Sequence, residues 1–117
     1  MRFVMMYKPA RPETALFSPQ QMAKLGQMCA EMAQAGVMLN SEGLQPSAKG
    51  ARVRLSNGKV TVTDGPFAEA KELIAGINVI QANSKAEAIE LAKRFIDVAG
   101  DGETEIRQVY EPSDFNL

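Results

Sequence analysis

Residues 52–64, RVRLSNGKVTVTD, alternate apolar and polar side chains on either side of Asn57-Gly58, the two-residue turn that most strongly signals a β-hairpin. Such a short loop fixes the register. Ser56 faces Lys59, Leu55 faces Val60, Arg54 faces Thr61, Val53 faces Val62 and Arg52 faces Thr63, so one face of the ribbon is aliphatic and the other carries two arginines and two threonines. Asp64 keeps the parity of Val60 and Val62 and falls on the aliphatic side if the strand runs that far. Gly65-Pro66-Phe67 then breaks the pattern.

Upstream of the ribbon, VMLNSEGLQP reads as a short strand from Val37 to about Ser41 and a polar bend ending at Pro46. Before it, Ser18 at N-cap, Pro19 at the first helical position and Gln21 at N3 form a capping box. Met22, Leu25, Cys29 and Met32 recur at three- and four-residue steps, and Gly36 closes this helix. The chain opens with an apolar strand, Arg2 to Lys8. Downstream, LIAGINVIQA (73–82) reads as a central strand apolar on both faces. A second helix has Ser84 as cap, Glu87 completing its box, and Gly100 at its end, and TEIRQVYE (104–111) is the last strand. The order predicts a single α+β domain over residues 1–117, a ferredoxin-like βαββαβ plan with an inserted β-hairpin. Two helices cover only one face of such a sheet. Dimerisation, sheet against sheet, is the simplest cover for the other, and the alternative is that the hairpin folds over its own sheet.

Composition narrows the function. Thirteen basic against fourteen acidic residues, a formal net charge of -1, give no electrostatic footprint for a nucleic-acid backbone. The N-terminal apolar run stops at Lys8-Pro9, too short for a signal-peptide core or a membrane span, so a cytoplasmic location without membrane association is the expectation. The chain has no histidine and one cysteine, Cys29. That excludes histidine general bases, Ser-His-Asp and Cys-His catalysis within one chain, and a zinc site of the usual nitrogen and sulfur ligands. No carboxylates stand at a metal-ligand spacing, and no cofactor is expected.

The candidate site residues each carry two readings. A carboxylate on the aliphatic side of the ribbon would be desolvated and its pKa raised, which makes Asp64 a candidate general acid or base. Asp-Gly-Pro is equally a turn and cap sequence, with Asp64 accepting backbone N–H groups, Gly65 in an unusual conformation and Pro66 opening a helical turn after which Phe67 packs. Lys71, near Glu69 and Glu72, suits an anion or a solvated face. Arg54 with Arg52 suits a carboxylate ligand, or serves as edge charge against strand aggregation. Glu42 lies in a bend where ligand residues often sit, and Tyr7 ends the first strand as a possible hydrogen-bond donor or a core-edge phenol. Gly76, inside an apolar strand, marks a close backbone or ligand approach or a bulge.

VTDGPFAEAKE, with Ile74-Ala75-Gly76 after it and EGLQP (42–46) before it, resembles the DGPF family within the YCII-related proteins. The likeness extends over nearly the whole chain, from the strand ending in Tyr7 through Ser18-Pro19 and AGV (35–37) to GINVIQA. It implies a ferredoxin-like fold that dimerises into an α/β barrel, with a cleft between sheet and ribbon that binds an undetermined small molecule near the motif. Relatives by fold include muconolactone isomerases and small monooxygenases. The YCII-related proteins are proposed enzymes with an aspartate paired to a histidine. Asp64 matches that aspartate, but this chain lacks the histidine, so proton transfer at Asp64 would need Lys71, Tyr7 or water as its partner. The resemblance also implies a sigma-factor setting, and with it the alternative of a non-catalytic dimeric interaction or regulatory module.

Overall fold

In a computed structural model, which describes residues 1–15, 17–67 and 73–115, the chain runs β1 (Arg2–Pro9), α1 (Pro19–Gln34), β2 (Met38–Gly43), β3 (Ala51–Ser56), β4 (Lys59–Asp64), β5 (Gly76–Gln81), α2 (Lys85–Ala99) and β6 (Gly102–Gln108). One sheet has the order β2-β5-β1-β6 with every pair antiparallel, and β3-β4 form a separate ribbon. Leave the ribbon aside and the sheet order is second, third, first, fourth, with a helix in each crossover. This is the ferredoxin-like α+β arrangement.

Helix ends follow the local signals. Ser18 Oγ accepts the Gln21 N–H at 3.1 Å while Gln21 Oε1 accepts the Ser18 N–H at 3.2 Å. At the other end the Val37 N–H reaches the Met32 carbonyl at 2.9 Å and the Gly36 N–H reaches that of Ala33 at 3.1 Å, a Schellman closure with Gly36 at φ +77°. Val37 therefore belongs to the helix end, and β2 starts one residue later than its apolar pattern suggests. At α2, Ser84 Oγ accepts the Glu87 N–H at 3.1 Å, but the reciprocal half of that capping box is not formed.

Phe3, Met5 and Tyr7 of β1 and Ile80 of β5 turn towards the helices and pack with Met28, Met32, Phe95 and Ala99. The rings of Tyr7 and Phe95 meet edge to face with centroids 6.0 Å apart. The apolar stripe of α1 divides. Met28 and Met32 are buried, whereas Leu25 and Cys29 are only partly buried and Met22 is 56% exposed. The first half of the helix stands clear of the sheet, and the space beneath it is the cavity described below.

The ribbon pairs in the register its turn dictates, from Ala51 opposite Asp64 to Ser56 opposite Lys59. It does not fold over its own sheet: Val53, Leu55, Val60 and Val62 are 60–72% exposed. A projecting ribbon also accounts for a radius of gyration of 16.3 Å, against about 13 Å for a compact chain of this length. On the sheet face away from the helices, Val4, Met6, Ile77 and Val79 are half-buried. Beside them Lys8 Nζ lies 2.8 Å from Glu105 and 3.6 Å from Glu103. The Lys8 hydrogen bond holds the Glu105 carboxyl below its ordinary range. No described helix is long and apolar enough to cross a membrane.

Candidate functional site

A cavity of about 1010 Å³ lies between the sheet and the first half of α1. Its floor is the helix-facing surface of β1 and β5, where Tyr7 pairs with Gly76 and Met5 with Asn78. Met22, Leu25 and Cys29 form the α1 wall, and Phe95 closes the end towards α2. The loop after β1 supplies Arg11, Glu13 and Phe17. Gly76 contributes by what it lacks. A Cβ there would sit 3.5 Å from the Glu42 carbonyl, an ordinary contact, so neither backbone crowding nor a bulge requires the glycine, and its missing side chain leaves space in the cavity.

Most polar groups around this space already have partners. The Tyr7 hydroxyl lies 2.9 Å from the Gly100 carbonyl and 3.2 Å from those of Ala99 and Asp101. One phenol proton among three carbonyls at the end of α2 makes Tyr7 a helix-end cap. Its ring, rather than its hydroxyl, is what the cavity receives. Arg11 stacks over Phe17 at 4.1 Å and its Nη1 lies 3.5 Å from the Ala99 carbonyl. Both oxygens of Glu13 are engaged, Oε1 by the Ser47 N–H and Oε2 by the Ser47 hydroxyl, each at 2.7 Å.

Two side-chain amides that border the cavity are exceptions, the exposed Gln45 and the buried Asn78. Asn78 is 2% exposed, and its side-chain amide makes no hydrogen bond with a described residue. Across the β2–β5 ladder from it, Ser41 Oγ lies 3.8 Å from Cys29 Sγ. Among the described residues no three acidic or thiol side chains come together to hold a metal ion.

The Asp64–Phe67 turn sits behind this wall rather than in it. Asp64 is exposed, because the aliphatic ribbon face it shares is itself exposed, and it makes no side-chain bond with a described residue. The desolvated carboxylate anticipated at this position is not found. Nor is Asp64 the cap, since the Phe67 N–H donates to Ser47 Oγ at 2.9 Å. Gly65 presses on the same residue: a Cβ there would lie 1.6 Å from the Ser47 carbonyl oxygen. The Gly65-Pro66 peptide is cis, and the Phe67 ring carries the Arg52 guanidinium at 3.9 Å. The turn is thus a clasp, joined through Ser47 to Glu13 and so to the cavity wall.

Of the residues anticipated from sequence, the cavity brings together Tyr7, Gly76 and Glu42. The ladder places Glu42 with Ile77, out of phase with the Ser41–Asn78 pair, so its side chain falls on the other face. Arg54 is exposed on the ribbon, and neither it nor Asp64, Gly65, Pro66 or Phe67 lines the cavity. Lys71 lies outside the described residues. Arg11, Glu13, Ser47 and Asn78 were not anticipated. For Asn78 there was a signal: a lone amide in the otherwise apolar run LIAGINVI.

Fold and cavity together define a small ferredoxin-like α+β protein with a ligand-sized space under one helix. The YCII-related domain matches residues 1–113, and the chain belongs to the YCII-related family. It is also similar to an uncharacterized protein of Rhizobium meliloti (strain 1021), 42% identical over 50 residues. That stretch covers 43% of this chain and 40% of the relative.

Proposed function

We propose that this YCII-related protein binds a small molecule in the cavity between its sheet and the first half of α1, and that it does so as a homodimer. The observation that carries the reading is the cavity: about 1010 Å³ stands at the upper end of the range for drug-sized ligands. An apolar probe tests it. Naphthalene is expected to shift the backbone amide resonances of Gly76, Asn78 and Cys29, and Gly76→Leu, whose side chain would occupy the cavity, is expected to abolish the shift. Asp64→Asn should leave it unchanged, because that carboxylate stands outside the wall. Unmoved resonances in the wild-type protein would overturn the reading and turn attention to the ribbon as the functional surface.

The homodimer is supported by two surfaces left without cover, the aliphatic face of the ribbon and the half-buried apolar face of the sheet. Burying a valine or leucine side chain contributes about 1.5–3 kcal/mol, so four of them make a second copy of the same chain a sufficient partner. Light scattering is expected to give twice the chain mass of 12.7 kDa. Val62→Asp should weaken association by roughly 100-fold or more, because a carboxylate would be buried without a partner. A monomeric wild-type protein at high concentration would contradict this part of the proposal.

A further inference from the structure

We propose that the cavity selects an uncharged, largely apolar molecule carrying one edge on which a hydrogen-bond donor and an acceptor lie side by side, as in a carboxamide or lactam, and that Asn78 reads that edge. The inference rests on the binding role proposed above and adds the class of ligand.

The polar groups on the wall favour a neutral ligand. Of the charged side chains there, Arg11 stacks on the Phe17 ring with one donor 3.5 Å from the Ala99 carbonyl, Glu13 accepts from both donors of Ser47, and Glu42 lies on the opposite side of the ladder, so none is on the floor with Asn78. A ligand ammonium or carboxylate at the floor would therefore lose its hydration against uncharged partners only. What remains is neutral, the exposed amide of Gln45 and the buried amide of Asn78. Asn78 is 2% exposed with its amide unbonded, and Ser41 lies across the ladder from it with Cys29 within 3.8 Å. A side-chain amide offers an acceptor oxygen beside donor N–H groups, so its full complement is another amide edge. A ligand acceptor alone satisfies half of it. The amide atoms are not sealed off, since Thr104 Oγ1 is the enclosed side-chain polar atom without a partner among the described residues, and a ligand edge that pairs with Asn78 takes the place of water there.

The test compares 2-naphthamide, methyl 2-naphthoate, 2-naphthoate, 2-naphthylmethylammonium and naphthalene, all with the same apolar body, by calorimetry and amide shifts. The amide is expected to bind at least about tenfold more tightly than each of the others, the contribution of one well-made hydrogen bond pair. Asn78→Leu should bring the amide to within about twofold of naphthalene. The same variant should leave the thermal midpoint of the free protein no lower than that of the wild type, whereas an asparagine that holds the fold would lower it on replacement. If naphthalene binds but the amide has no advantage, or if the charged probes bind best, the ligand class is wrong and the binding site stands. If no probe binds, both fall together.

Discussion

Gly65→Ala is expected to lower the free energy of unfolding by about 3 kcal/mol, the upper end of what overpacking costs. A Cβ at that position would lie 1.6 Å from the Ser47 carbonyl oxygen and 2.5 Å from its carbon. Both are backbone atoms, and they are fixed from the other side because the Ser47 N–H and hydroxyl are bonded to Glu13 at 2.7 Å. Relief would require the ribbon to lift away from the turn at Ser47–Lys49 or the Glu13 bonds to stretch. Gly76→Ala is the control. Its Cβ would meet only the Glu42 carbonyl at 3.5 Å, in a strand where alanine is as acceptable as glycine, and a change within about 0.5 kcal/mol is expected. Urea denaturation of the two variants checks the contrast, and equal midpoints would mean that Gly65 is a replaceable turn residue.

That contrast bears on how a sequence discloses its structure. The ribbon register followed from Asn57-Gly58 alone because a two-residue turn leaves no freedom. The capping box at Ser18 and the glycine closure at Gly36 are likewise contacts within a few residues. The purpose of the Asp64–Phe67 turn was not legible, because it depends on Ser47, twenty residues before Phe67, and on Glu13, thirty-four before Ser47. Parity correctly placed Asp64 on the aliphatic face. It said nothing of whether that face is covered, which depends on what packs against the ribbon. The α1 stripe was legible as a face but not in its use, for a related reason: helical periodicity identifies a face, and only the tilt of the helix decides that Met28 and Met32 are buried while Leu25 and Cys29 line a space.

The clasp predicts a second large effect, and one that separates a bonded network from independent contacts. Ser47→Ala removes the acceptor of the Phe67 N–H and the donor to Glu13, and Glu13→Ala removes the acceptor for both Ser47 groups. Hydrogen bonds to a carboxylate contribute about 1.5–3 kcal/mol, and a donor left unsatisfied in a buried site costs about 1–3 kcal/mol. Each single variant should therefore lose roughly 2–4 kcal/mol. The double variant should lose less than the sum by about 1–2 kcal/mol, since the Ser47 hydroxyl bond to Glu13 can be removed only once. Strict additivity would mean that the serine and the glutamate act on separate parts of the structure. The cycle also bears on function. Glu13 borders the cavity and Phe67 does not, so if the clasp shapes the wall, naphthalene affinity should fall in Ser47→Ala even though that residue does not line the cavity. Unchanged affinity in a variant with reduced stability would confine the Asp-Gly-Pro-Phe turn to holding the ribbon, and would leave the cavity to be shaped by α1 and the sheet alone.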